Sequence, residues 1–125
     1  MAGTLVADTL QDGAGNSTSM DNAIYGSAKA WVNYKGTSTQ GIRASYNVSS
    51  VTYNSTGNYT VNFTNAFVDT NYCFQGNGAA GSETSANASR CVIPITYNTG
   101  SVQVVTLFGA GASTDFLYVN VACFR

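Results

Sequence analysis

Histidine is absent, proline occurs once, and charged residues make up only 9% of this 125-residue chain. Each scarcity excludes something. General acid–base and nucleophilic chemistry needs a group that titrates near neutrality, and histidine is its usual supplier. The available carboxylates, Asp8, Asp12, Asp21, Asp69, Glu83 and Asp115, are dispersed, with no pair placed by spacing. No enzymatic function is expected. Without histidine, the three cysteines match no zinc spacing, and no metal or other cofactor is expected. Five Lys/Arg stand against six Asp/Glu, and Lys29, Lys35, Arg43, Arg90 and Arg125 are scattered. No basic field steers such a chain onto nucleic acid or an anionic membrane. No run approaches the roughly 18 apolar residues of a membrane span, so membrane insertion is not expected. The N-terminus lacks the basic start and apolar run of a secretory signal, and the expectation is a soluble protein made in a cytoplasm.

What the chain does have is Asn, Ser, Thr and Gly in abundance, arranged around short β-type runs. These are AWVNYK (30–35), IRASYNVSSVTY (42–53), YTVNFT (59–64), NYCFQ (71–75), RCVIPITY (90–97), SVQVVTLF (101–108) and DFLYVNVACFR (115–125). Seven such runs predict an all-β antiparallel sandwich of about seven strands. In SVTYNSTGNYTVNF (50–63), apolar Val51, Tyr53, Tyr59, Val61 and Phe63 alternate with polar residues around an Asn54–Asn58 link. A hairpin with a core face and a wet face follows, its turn toward solvent or a neighbouring subunit. Tyr97-Asn98-Thr99-Gly100-Ser101 signals a second hairpin, and Pro94 predicts an edge strand or a bulge. In the 42–53 run the apolar parity reverses near Ser49-Ser50, as a bulge or a crossing between sheets would require. The last run is apolar on both parities, with Phe116, Tyr118 and Phe124 against Leu117, Val119, Val121 and Cys123. A neighbouring subunit is the expected cover for its second face.

Other features carry a functional and a structural reading side by side. Asp69 and Asp115 read as turn formers. Residues 76–81 and 109–111 are glycine-rich but precede no helical pattern, so they read as loops rather than phosphate cradles. The polar stretch 76–89, with Asn77, Ser82, Glu83, Thr84 and Asn87, is long for a hairpin loop and is the candidate recognition surface. Asn-x-Ser/Thr triplets at Asn16, Asn47, Asn54, Asn58, Asn62 and Asn87 read as products of polar strand faces rather than as glycosylation sites. Tyr34, Tyr53 and Tyr59 suit sugar stacking, but period-two aromatics favour a core role, and Trp31 reads as core or interface. Cys73, Cys91 and Cys123 read as buried free thiols, with a Cys73–Cys91 disulfide as the alternative.

Residues 1–28 differ from the rest. Leu5, Val6, Leu10, Met20 and Ile24 are set sparsely among Gly, Ser, Thr and Asn, too few to bury a core. The expected organisation is an extended N-terminal attachment and oligomerisation arm over 1–28, ordered against a partner, and a β-sandwich domain over 29–125.

The segment KAWVNYKGTSTQGIRASYNVSSVTYNSTGNYTVNFTNAFVDTNY (29–72) resembles a small protein of tailed phages of aquatic bacteria, cyanophages included. The shared pattern runs KAWVNF.G, IRASFNVSS and G.YTVNFT, and it extends loosely to VNVACFR and to TLQDGAGNSTS in the arm. The resemblance implies a virion component, tail-fibre-like or decorating the capsid, assembled in the host cytoplasm. It further implies a homotrimer whose other partners are capsid or tail proteins, with a host surface glycan as a secondary one. It carries no catalytic residue over to this chain. Where that family has Ala or Val, this chain has Cys73 and Cys123, which implies that these thiols act as small core residues.

Overall fold

The computed structural model describes residues 3–37, 39–81, 90–109 and 111–125. Along the chain come β1 (Thr9–Gln11), β2 (Ser17–Ser19), α1 (Met20–Gly26), β3 (Ala28–Lys35), β4 (Gly41–Tyr46), β5 (Val48–Ser55) and β6 (Asn58–Phe63). After these follow β7 (Cys73–Ala79), β8 (Arg90–Asn98), β9 (Ser101–Phe108), β10 (Ala112–Ser113) and β11 (Tyr118–Phe124). One antiparallel sheet has the order β4-β3-β11-β7. In the other, β5 pairs β6, β6 pairs β9, and β9 carries β8 along its opposite edge, with β10 extending the pairing near Phe108. The fold is an all-β antiparallel sandwich, as the alternation predicts.

Its core is the inward parity of both sheets. Ala30, Val32 and Tyr34 of β3 and Val119, Val121 and Cys123 of β11 meet Tyr59, Val61 and Phe63 of β6 and Val102 and Val104 of β9. No residue before Ala30 belongs to this cluster. Phe63, Phe67 and Tyr72 close one end, with Phe67 and Tyr72 stacked at 4.6 Å between ring centroids.

The 42–53 run holds both devices: a bulge between Val48 and Ser50 shifts the parity where expected, and just before it the chain crosses between sheets at Asn47. Asn47 has φ 55°, a left-handed conformation that asparagine tolerates better than most residues. Its side-chain amide donates to the carbonyls of Lys29 and Asn65, at 3.0 and 3.1 Å, and its carbonyl oxygen Oδ1 accepts the Asn65 N–H at 2.8 Å. The 42–53 run is therefore two strands, one in each sheet, and the sandwich has eight long strands among the described residues. Pro94 lies on β8, which pairs only with β9, and a bulge separates Pro94 from Thr96. Both expectations for that proline hold together.

Several placements correct the sequence reading. In the Asn54–Asn58 link, Asn54, Ser55 and Thr56 are exposed as expected, but Gly57 is buried, with φ 65°, and a Cβ there would come within 2.6 Å of the Thr114 nitrogen. Tyr53 sits at the sheet edge, 41% exposed, because β5 is the last strand. Phe116 precedes β11 and turns into the core, so it does not share a face with Tyr118. Residues 76–79 are strand, not loop. The inward glycines Gly76 and Gly78 leave room for Phe74, Phe116 and Val92. Cys123 is buried, which pushes its thiol up to about 12, but Cys73 and Cys91 are exposed and unbonded. They stand in different sheets, opposite Phe124 and Leu107.

The arm is not simply extended. Its β1–β2 hairpin turns on Asp12, whose carboxylate accepts the backbone N–H groups of Ala14 and Asn16 at 2.9 Å each. Ser19 caps the seven-residue α1 by accepting the Asn22 N–H. Its apolar side chains nevertheless stay outside: Leu5 and Val6 are 77% and 89% exposed, Leu10 and Ile24 about half, and Met20 is intermediate.

Candidate functional site

A two-layer sandwich has two outer faces, and here they differ in chemistry. On β5, β6 and β9 the outward polar side chains bond one another. Asn54 donates to Asn58 Oδ1 and Thr60 Oγ1 at 3.0 and 2.9 Å, Asn62 donates to Ser50 and Thr52 at 3.0 Å, and Gln103 donates to Asn58 at 2.9 Å. The amide nitrogens of Asn54, Asn62 and Gln103 are thus engaged within this face. The tyrosines weighed as a sugar platform do not form one either. Tyr34 and Tyr59 are fully buried, with rings meeting edge-on at 5.3 Å.

The outer face of the other sheet is different. Register aligns Tyr46, Trp31, Ala122 and Gln75 across β4, β3, β11 and β7, and beside them runs a second row, Asn33, Asn120 and Asn77. Asn33 donates to Asn120 Oδ1, and Asn120 donates to Asn77 Oδ1 at 2.8 Å. Trp31, 40% exposed, stands at one side of a shallow groove of about 310 Å³ floored by Ala122 and the Val32 and Val121 backbone. At one end of this face Arg43 lies 4.3 Å over the Tyr118 ring and donates to the Leu117 carbonyl at 2.8 Å. Trp31, read in the sequence as core or interface, is not core: it shares the outward parity of its strand with Asn33, as Asn120 and Ala122 share that of theirs. The register that brings them side by side spans 87 residues of chain and leaves no local signal.

The carboxylates with resolved partners are committed to structure. Asp115 is a long-range tie rather than a turn former: its Oδ1 accepts the Gly57 N–H and the Tyr59 hydroxyl, both at 2.6 Å. Asp69 does form a turn, accepting the Asn71 N–H, and it also pairs Arg125 at 2.6 Å. The Arg125 hydrogen bond holds the Asp69 carboxyl below its ordinary value, and Asn16 does the same for Asp12. Among the described residues no group of three or more Cys, Asp or Glu gathers to hold a metal ion.

Of the residues singled out in the sequence, Leu5, Val6, Met20 and Ile24 line one hollow where the segment before β1 meets α1, while Leu10 lies on β1 outside it. Asn77 lies on β7 within the amide row, while Ser82, Glu83, Thr84 and Asn87 lie outside the described residues. A further apolar strip, Ile93 and Ile95 on edge strand β8 with Phe108 nearby, is 37–50% exposed. No described helix is long and apolar enough to cross a membrane. Comparison with protein-family models, with curated proteins and with solved structures gives no match.

Proposed function

We propose that the chain is a non-enzymatic structural subunit of a phage virion. It assembles as a homotrimer through its N-terminal arm and exposes the sandwich as part of a tail fibre, a knob or a capsid decoration. The observation that carries this reading is the arm. Leu5, Val6, Leu10 and Ile24 project from a folded hairpin–helix unit, while the sandwich core uses none of them. The phage resemblance of residues 29–72 and the scarcity of free catalytic groups support it.

Magnitudes say what the arm needs. Burying an apolar side chain fully gives about 1.5–3 kcal/mol, so four give about 6–12 kcal/mol per protomer as an upper bound. Association costs about 4–15 kcal/mol in lost freedom. The two ranges overlap, so the arm alone is close to balance and a second apolar surface would add margin. The Ile93–Ile95 strip of β8 supplies one.

Light scattering coupled to size exclusion tests the proposal. The full chain is expected at three times the protomer mass, and both residues 29–125 alone and the full-length Leu5→Asp/Val6→Asp variant at the protomer mass, with unchanged β circular dichroism. A trimer that survives both changes would remove the arm from the assembly.

A further inference from the structure

We infer that the groove beside Trp31 on the outer face of β3, β11 and β7 is a binding site for a neutral saccharide. The inference does not depend on the virion assignment, because it stands on the side chains alone. The groove is lined by Trp31, Asn33, Gln75, Asn77, Asn120 and Ala122 together with the Val32 and Val121 backbone, and none of these is charged. An anionic or cationic ligand finds no counter-charge there, and losing its hydration would go uncompensated.

The polar groups are arranged for a partner that both donates and accepts. The amide row is chained in one direction, Asn33 to Asn120 to Asn77. Its ends are open: among the described residues nothing engages the Asn33 side-chain oxygen, the Asn77 side-chain nitrogen or the Gln75 amide. The amides of the opposite sheet also leave ends open, at the Asn54 and Asn62 oxygens and the Asn58 nitrogen, but no tryptophan stands beside them. A row of planar amides with a free acceptor at one end and free donors at the other matches vicinal hydroxyls, each of which donates and accepts. The indole supplies the complementary element. A pyranose ring has an apolar face of C–H groups, and Trp31, 40% exposed, lines the groove beside the row with an aromatic ring able to stack on such a face. Ala122, in register between Trp31 and Gln75, keeps the floor low enough for a ring to lie across it. The volume of about 310 Å³ is at the small end of ligand sites, that of one or two sugar units rather than a folded partner.

Trp31 is the only tryptophan, so its emission reports this groove directly. Full-length protein is titrated with maltotriose, cellotriose and triacetylchitotriose, following Trp31 fluorescence and ligand-observed saturation-transfer NMR. Saturable binding of at least one trisaccharide is expected. Gln75→Ala, which removes an exposed side chain with no partner, and Asn120→Ala are each expected to weaken it about ten-fold, the loss typical of one or two hydrogen bonds. Trp31→Ala, read by NMR, should abolish it, whereas Thr52→Ala on the opposite sheet should leave it unchanged. Absence of saturable binding for all three sugars overturns the inference, as does binding that survives Trp31→Ala and Gln75→Ala undiminished. An emission shift that follows protein concentration without sugar, with a rise in mass, assigns the groove to a second copy and overturns it too.

Discussion

Tyr34 and Tyr59 stand side by side in the core with opposite hydrogen-bond fates. The Tyr59 hydroxyl donates to Asp115 Oδ1 at 2.6 Å and lies 3.1 Å from the Gly36 carbonyl, while the buried Tyr34 hydroxyl has no partner among the described residues. An unsatisfied buried polar group costs about 1–3 kcal/mol, and a satisfied one bonded to a charged acceptor contributes about 1.5–3 kcal/mol. Tyr34→Phe is therefore expected to leave stability unchanged or raise it by about 1 kcal/mol, and Tyr59→Phe to lower it by about 2 kcal/mol. Urea unfolding of the two variants measures the difference. A loss in Tyr34→Phe equal to that in Tyr59→Phe would contradict the assignment. Both tyrosines are recognisable as core from their period-two spacing. The Asp115 tie is not, since an aspartate after Ser-Thr reads locally as a turn and its partners lie 56 and 58 residues away.

Strand β7 shows how an element hides in composition. Its Gly76-Asn77-Gly78 reads as loop, yet the glycines are there because the sheet interior reaches the backbone. A Cβ on Gly78 would lie 2.6 Å from the Tyr118 carbonyl oxygen and 2.8 Å from the Phe116 ring, whereas one on Gly100 meets nothing within 4 Å. Gly78→Ala should destabilise by about 1–3 kcal/mol through overpacking, and Gly100→Ala should stay within about 0.5 kcal/mol. Thermal melts of the pair decide it. Elements built on strict alternation, such as β6, are legible from sequence because one face is buried along their whole length. β4 is read as strand within the 42–53 run, but its place in the other sheet is not legible, because all six of its residues are exposed and its apolar Ile42 and Tyr46 meet no core. The groove shares that illegibility: its side chains are readable strand by strand, but their alignment is set by long-range register.

For the whole molecule, the absence of histidine shapes the response to pH. Asp12 and Asp69 are held below their ordinary values in the fold, so what they contribute is present above about pH 4 and is lost as pH falls through the folded values. Cys123 is raised to about 12 by burial, so its contribution is full below the unfolded thiol value of about 8.5 and declines as pH rises toward 12. Burial raises Tyr34 and Tyr59 as well, adding a second loss above about pH 10. The melting temperature should be flat from about pH 5 to 8, and Cys123→Ala should move the alkaline onset from about 8.5 to about 10. A transition inside the plateau would refute this. Asn47 has a last consequence, a mechanical one. The arm enters β3 at Ala28, and Asn47 grips the neighbouring Lys29 carbonyl while also holding the Asn65 backbone beyond β6. Because β3 lies between β4 and β11, a pull on the arm loads two ladders in shear instead of peeling an edge. The Asn47 clasp passes part of that load to the second sheet, so the tether is anchored at one of the best-braced strands in the molecule.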